Sequence, residues 1–120
     1  MSKPISRALH GPLADYPFVA FTAAAPNLAG FQDEKTATLL CRALSGTALL
    51  ASLLTRAEWG VFRVLPFKLH LTLDALTGVL ALGAPWLFGF SKNSRARNTF
   101  LALGIFGLVG GLLSEPEEMP

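Results

Sequence analysis

The chain has 120 residues, of which 52% are hydrophobic and only 15% charged, and its net charge is +2. Soluble domains carry about 25% charged residues, so this composition argues against a disordered chain, a nucleic-acid-binding protein and a typical soluble enzyme. The length suits one domain, and a lone cysteine, Cys41, forms no internal disulfide. The composition leaves a small membrane protein or an unusually apolar helical bundle.

Apolar stretches without charge alternate along the chain with short charged clusters. They cover residues 16–31, 43–55, 75–91 and 98–114. A membrane-spanning helix needs about 20 residues, so each stretch must borrow residues from its flanks. We predict helices over residues 12–31, 36–55, 67–90 and 98–114, followed by a flexible acidic tail over 115–120.

The last predicted helix has polar residues only near its ends, at Asn98, Thr99 and Ser114. A helix that is apolar all round lies in a protein core or in lipid. A bundle of only four short helices cannot fully enclose one of its own helices. The expected partner is therefore the lipid bilayer. The alternatives are a soluble four-helix bundle and, for the N-terminus, a cleaved signal peptide, whose apolar core Asp15 and Pro17 would interrupt. Five basic residues on each predicted side leave the orientation open.

The two halves of the chain resemble each other when the sequence is shifted by 59 positions. The match hardest to obtain by chance is an Asp followed by Ala-Pro-x-Leu-x-Gly-Phe. It occurs at Asp15 and residues 25–31, and again at Asp74 and residues 84–90. We therefore predict a single membrane domain over 1–120, an all-α four-helix transmembrane bundle. It consists of two parallel helix–turn–helix repeats, about 7–58 and about 66–117.

The Ala-Pro-x-Leu-x-Gly-Phe element is expected to end the first helix of each repeat, although a binding loop is an alternative. Proline removes a backbone donor, and the later glycine can adopt the left-handed conformation that closes a helix. Trp86, Phe88 and Phe90 suit a membrane–water interface. The residues of this helix-exit motif are Pro26, Gly30, Phe31, Pro85, Trp86, Gly89 and Phe90.

The segment HLTLDALTGVLALGAPWLFGF, preceded by RVLPFK, resembles the SPW-repeat family of small bacterial membrane proteins. The family is named after a Ser-Pro-Trp at this helix exit, which reads Ala-Pro-Trp at residues 84–86 and Ala-Pro-Asn at 25–27. The resemblance extends from about residue 7 to 114. It implies a tandem-repeat protein of a bacterial inner membrane. It does not imply any particular activity. The first copy departs from the pattern because its His and Asp are five residues apart, not four.

Two histidines and two aspartates form a candidate polar site. His70 and Asp74 share a helix face, His10 and Asp15 are their counterparts in the first half, and the repeat symmetry would bring the two pairs together. Ionisable groups inside a membrane are candidates for proton relays or ion ligands, and this set can bind a divalent metal.

A structural role for these four residues is the alternative that we favour from the sequence. Each aspartate would then pair with His70 or with a basic residue on the same side, namely Arg56, Arg63 or Lys68. No strong metal signature is present, so we expect neither a metal nor a cofactor.

A glycine face on the last helix, formed by Gly104, Gly107 and Gly111, is predicted to pack on another helix of the chain or on a second copy. Arg42 is expected to reach towards residues 32–35. Because no catalytic motif is present, we expect a non-enzymatic, structural or accessory component of a bacterial inner-membrane assembly, in a homo-oligomer or a larger complex. The alternative is a minimal transporter, channel or proton-relay module that uses the His/Asp site.

Overall fold

Four helical segments make up most of residues 3–119, the part of the chain that the structure, a computed structural model, describes. The first segment is composite and continuous: α1 (Arg7–His10), a π-helical turn (Gly11–Asp15) and α2 (Tyr16–Leu28). The other three are α3 (Lys35–Leu54), α4 (Phe67–Leu87) and α5 (Ser94–Leu113). No strand occurs within these residues, so the predicted all-α fold with four helices is confirmed.

Helix α4 begins at the predicted residue, whereas the other three segments begin earlier than predicted, and all four end sooner, by five residues at most. The prediction followed the charge-free stretches, whereas the first turns of α1 and α5 carry arginines. These starts are set by capping residues. The Ser6 hydroxyl accepts a hydrogen bond from the Leu9 amide at 3.3 Å, and the Asn93 side chain accepts one from the Ala96 amide at 3.2 Å.

Both prolines of the helix-exit motif lie inside the last helical turn, since α2 continues to Leu28 and α4 to Leu87. The helices are closed by the glycines, which have left-handed φ angles of 75° at Gly30 and 78° at Gly89. In each turn the amide after the glycine donates to the proline carbonyl at 2.9 Å, as in a Schellman motif. The motif therefore forms the same turn at two places 59 residues apart.

The aromatic residues of the second exit motif do not share one environment. Trp86 and Phe88 are exposed, as expected of interface anchors, but Phe90 is 1% exposed. Its ring packs on Phe100, with the centroids 4.9 Å apart. The placement of Phe90 at an interface is therefore wrong, because the left-handed glycine before it turns the chain back into the bundle. Phe31 is buried in the same way in the first half.

Two helical hairpins, α2 with α3 and α4 with α5, pack closely, whereas α3 and α4 barely touch. The close approach of α4 and α5 depends on glycine. A Cβ at Gly104 would lie 2.8 Å from the Gly78 carbonyl oxygen, and one at Gly111 would lie 3.1 Å from the Leu71 carbonyl oxygen. Gly107 faces Gly78 and the Asp74 backbone. The glycine face thus lies on α4 of the same chain.

The helices bury mainly small side chains and expose most of their large apolar ones. The core contains seven alanines, whereas Leu28 and Leu39 are each 72% exposed and Phe21 is 66% exposed. Three helices, α3, α4 and α5, are long and apolar enough to cross a membrane. Small residues between helices and large apolar residues facing outward are typical of packing in lipid.

The Gly104→Ala variant tests the close packing of α4 on α5. Because the added methyl group overlaps a backbone carbonyl and Leu82, we expect it to lower the unfolding free energy by about 1–3 kcal/mol, measured by denaturant titration in detergent micelles. Gly46→Ala on α3 is the matched control, since nothing lies within 4 Å of its Cβ position. Equal stability of the two variants would contradict this packing.

Candidate functional site: a buried His/Asp centre

His10, Asp15, His70 and Asp74 meet at one place, which we call the His/Asp centre. One nitrogen or oxygen from each residue lies within 4.8 Å of those of all the others. The His10 Nε2 atom is 3.0 Å from Asp15 Oδ1 and 2.8 Å from Asp74 Oδ2. The His70 Nε2 atom is 2.8 Å from Asp15 Oδ2 and 3.4 Å from Asp74 Oδ2. Each aspartate therefore faces both histidines.

A π-helical turn reconciles the unequal His–Asp spacings of the two halves. In α4 the spacing of four residues between His70 and Asp74 suits a regular α-helix. In the first segment the spacing is five, and the Tyr16 amide bonds to the carbonyl of Gly11, five residues earlier. The wider turn absorbs the additional residue, so His10 and Asp15 also face the same side. The departure of the first copy from the His–Asp spacing of four residues therefore does not prevent the two pairs from occupying equivalent positions.

The centre is removed from solvent, although not equally on all sides. His10 is 0% exposed, His70 2% and Asp15 6%, whereas the Asp74 side chain is 24% exposed. Two of the polar atoms, Asp15 Oδ2 and His70 Nε2, are buried without a hydrogen bond of acceptable alignment, even though they lie 2.8 Å from each other. Burying polar atoms in an apolar bundle without well-aligned hydrogen bonds lowers the stability of the folded state.

A hydroxyl group contacts the outer nitrogen of each imidazole. Ser114 Oγ lies 2.6 Å from His10 Nδ1, and Thr55 Oγ1 lies 2.8 Å from His70 Nδ1. Both hydroxyls also donate to a carbonyl four residues earlier, in the last turn of their helices. Ser114 and Thr55 are 59 residues apart and directly follow the ends of α5 and α3, so the same arrangement occurs twice.

Short extended segments hold these hydroxyls in place. Ile5 pairs with Ser114 through hydrogen bonds to the backbone of Leu113 and Glu115, and Leu65 pairs with Thr55 through the corresponding bonds to Leu54 and Arg56. The segment before the first helix thus binds the end of the last helix, while the segment before α4 binds the end of α3. Each histidine therefore depends on a backbone pairing at the end of the bundle.

Aromatic side chains cover the centre at this end. The Trp59 ring lies 5.9 Å from the His10 ring and 5.4 Å from the His70 ring, and Phe67 packs on both histidines as well. The Trp59 indole donates to the Arg7 carbonyl at 2.7 Å. A Cβ at Gly11 would overlap the indole ring, which explains glycine at that position.

A cavity of about 100 Å³ lies beside the centre, between the two helical hairpins. Asp15 and Asp74 form part of its wall together with Thr47 and Thr77, and the remaining wall is mainly apolar. The position of Asp74 in the cavity wall accounts for the partial exposure of its side chain. The cavity therefore provides access to the carboxylates from the side of the bundle.

The basic residues expected to pair with the aspartates bond elsewhere. Arg56 donates to the Met119 carbonyl, and Arg63 donates to the carbonyls of Gly60 and Glu58. Over residues 3–119 both aspartates form ion pairs with the histidines and with no lysine or arginine. The structural interpretation is therefore wrong about Arg56, Arg63 and Lys68 as partners, because these residues lie at the rim of the bundle.

Other sequence-predicted residues lie away from the centre. Arg42 donates to the Ala23 carbonyl and to Asn27, not to residues 32–35, because α2 packs beside it. Cys41 is buried in the apolar core. In the acidic tail the Glu118 carboxylate accepts hydrogen bonds from the Phe67 and Lys68 amides at 2.9 Å, and these bonds hold its pKa below the usual value. Pro120 lies outside the described residues.

Sequence reasoning missed Thr55, Ser114 and Trp59, which complete the site. The two hydroxyl residues carry a detectable signal, since both follow a helix end and are 59 positions apart. The role of Trp59 has no such signal, because the corresponding position in the second half is Glu118.

Comparison of the chain with protein-family models, with curated proteins and with solved structures finds no match. The resemblance to the SPW-repeat family therefore rests on the residues quoted for it, and the function has to be argued from the site.

An ion pair at the rim, between Arg7 Nε and Glu58 Oε1 at 2.7 Å, supplies a pH-dependent test of the aromatic cover. The hydrogen bond from Arg7 lowers the pKa of Glu58 below its usual value. The stabilisation of the folded state by this ion pair is therefore present above the ordinary Glu pKa of about 4.3. It is lost as the pH falls through the lowered pKa of Glu58. We expect Glu58→Gln to cost about 0.2–1 kcal/mol at pH 7, because the pair is partly exposed.

The measurement is thermal unfolding in micelles between pH 7 and pH 3. The difference between wild type and Glu58→Gln should shrink in acid, whereas Asp33→Asn, in the turn at the other end of the molecule, should stay close to wild type. A difference that persists unchanged at pH 3 would contradict the assignment.

Proposed function

We propose that this chain is a multi-pass integral membrane protein that binds a cation at the His/Asp centre, which its two repeats share. The observation that carries the proposal is the convergence of the buried Asp15 carboxylate and the partly exposed Asp74 carboxylate on two imidazoles, with no other ion-pairing partner among residues 3–119. Two negative charges in an apolar bundle require compensating positive charge. That charge is supplied by protons on the imidazoles or by a bound metal ion.

The membrane setting is supported by the three apolar helices and by the exposure of large apolar side chains between the bundle ends. Asp74 lies seven residues into α4, which corresponds to a depth of about 10 Å from the helix start. Such a depth would place the centre inside the apolar layer, near one interface. The bacterial inner membrane is the location that we propose, from the resemblance stated for the sequence.

The parallel repeat arrangement is part of the same proposal. It is supported by equivalent turns at Gly30 and Gly89, by equivalent hydroxyl contacts at Thr55 and Ser114, and by equivalent backbone pairings at Ile5 and Leu65. These features are related by shifts of 59 or 60 residues. One pseudo-twofold axis through the His/Asp centre would relate them all.

Binding is favoured over conduction by what lies beyond the centre. Towards the other end of the bundle the interior is filled by an apolar cluster of alanines, Cys41, Leu44, Leu103 and the buried rings of Phe31, Phe90 and Phe100. This cluster contains no charged side chain and no hydroxyl group along which an ion or a proton could continue. Of the roles derived from the sequence, an accessory membrane component with a bound cation therefore fits better than a channel.

Membrane insertion is tested by fractionation and by reporters of membrane topology. We expect the protein to stay in the membrane pellet after carbonate extraction, because α3, α4 and α5 face outward with apolar side chains. A reporter fused after Pro120 and one inserted at Asn93 should report opposite sides. Release by carbonate, or the same side for both reporters, would contradict the proposed topology.

The charge balance of the centre is tested with Asp15→Asn and Asp74→Asn. Each variant removes one of the two negative charges that balance the positive charge of the centre. We therefore expect the unfolding free energy to fall by about 3–5 kcal/mol, the range for breaking a buried ion pair. Asp33→Asn, in an exposed turn, is the control and should be neutral. Wild-type stability of both centre variants would contradict the proposal that the centre holds a balancing cation.

A further inference from the structure

We infer that the cation is a single divalent transition-metal ion of the Zn²⁺ class, bound by His10 Nε2, His70 Nε2 and one oxygen each of Asp15 and Asp74. This inference rests on the proposed function and deepens it, since it names the ion at the same centre. Three features of the centre carry it: the hydroxyl contacts of the outer imidazole nitrogens, the alignment of the inner contacts and the mixture of donor atoms.

The hydroxyl contacts decide which imidazole nitrogen carries the proton. Ser114 Oγ has one hydrogen, which it donates to the Gly110 carbonyl at 2.6 Å. Its contact with His10 Nδ1 can then be a hydrogen bond only if Nδ1–H donates and the hydroxyl oxygen accepts. Thr55 likewise donates to the Ala51 carbonyl and accepts from His70 Nδ1. In the neutral form of both rings, Nε2 is therefore the unprotonated nitrogen.

The Nε2 atom of each imidazole faces the carboxylates. A lone pair directed at a carboxylate oxygen is repulsive, so each Nε2 has to carry a proton or bind a metal ion. Histidine ligands of metal ions typically donate their other ring N–H to a neighbouring oxygen, which fixes the tautomer and the ring orientation. Ser114 and Thr55 supply this second contact for His10 and His70 at 2.6 and 2.8 Å.

The alignment of the contacts points the same way. Of the four nitrogen–oxygen pairs, only His10 Nε2 with Asp74 Oδ2 is aligned as a hydrogen bond. Asp15 Oδ2 and His70 Nε2 lie 2.8 Å apart, yet neither has an aligned partner. Donor atoms that are close together without aiming at one another are what a shared central ion produces. In a tetrahedral site with bonds of about 2.0–2.1 Å, neighbouring ligand atoms are roughly 3.3 Å apart. One donor atom from each of the four residues lies within 4.8 Å of the other three, so small side-chain movements would bring them to this spacing.

The donor set selects the class of ion. Two imidazole nitrogens with two carboxylate oxygens suit Zn²⁺ and its neighbours in the first transition row, whereas Mg²⁺ and Ca²⁺ prefer oxygen ligands. Two carboxylates also neutralise the charge of a divalent ion. The cavity beside Asp15 and Asp74 brings open space to two of the four ligand residues.

The experiment measures metal binding by the whole chain purified in mild detergent. The protein is stripped with a chelator, dialysed against Zn²⁺ in a metal buffer, and analysed for bound zinc by mass spectrometry. We expect one Zn²⁺ per chain, a rise in the unfolding temperature on loading, and no binding of Mg²⁺ under the same conditions.

Variants of the hydroxyl residues keep the test decisive if ligand variants fail to fold. Ser114→Ala and Thr55→Val should each weaken Zn²⁺ affinity by about 10–100-fold, the range for lost outer contacts. Ser52→Ala is the matched control, because Ser52 is equally buried and makes the same bond to the carbonyl four residues earlier, without forming a hydrogen bond to a histidine. Its affinity should equal that of wild type.

The results separate this inference from the proposed function. Folded protein that binds no Zn²⁺ while Asp15→Asn and Asp74→Asn still lose stability overturns the metal and leaves a centre balanced by protons. Zinc bound with equal affinity by wild type, Ser114→Ala and Thr55→Val places the ion elsewhere and overturns the inference as well. Neutral aspartate variants remove both.

Discussion

Two carboxylates inside an apolar bundle impose the strictest constraint on this structure. Asp15 is 6% exposed, and the Asp74 side chain, 24% exposed, borders a cavity of about 100 Å³. Their ion-pairing partners within residues 3–119 are His10 and His70, so the four side chains have to converge from two helices far apart in sequence. Much of the architecture at this end of the molecule serves that convergence. The π-helical turn aligns the first pair, the hydroxyls orient the imidazoles, and Trp59 and Phe67 exclude water.

The backbone pairings extend this dependence to the whole chain. Ile5 reaches the end of α5 and Leu65 reaches the end of α3, so segments from both halves determine where Ser114 and Thr55 lie. A change in the packing of either hairpin would therefore also shift the side chains of the His/Asp centre. The glycines of α4 and α5 also help to position the centre. They let the two helices approach closely, and this packing fixes where Asp74 lies along α4 relative to Gly107 and Gly111 of α5.

The sequence predicted more of the fold than of the site. The number of helices, the glycine turns and the pairing of His10, Asp15, His70 and Asp74 follow from periodicity and from internal similarity, which are local or translational signals. The burial of Phe90 was not predictable in the same way, because it depends on the direction that the chain takes after Gly89. Of the predicted aspartate partners, His70 is confirmed. The alternatives Arg56, Arg63 and Lys68 were wrong, because charge alone pointed to them, whereas helix packing keeps those residues at the rim.

The electronic absorption of the protein loaded with Co²⁺ shows directly whether the His/Asp centre binds a metal ion, because Co²⁺ occupies zinc sites and its spectrum depends on its coordination. We expect visible bands of the intensity typical of four-coordinate nitrogen and oxygen ligands, developing up to one equivalent of metal. We also expect His10→Gln and Asp74→Asn to abolish these bands. Weak bands typical of hydrated six-coordinate Co²⁺, identical in the wild type and both variants, would contradict a metal ion bound at the centre.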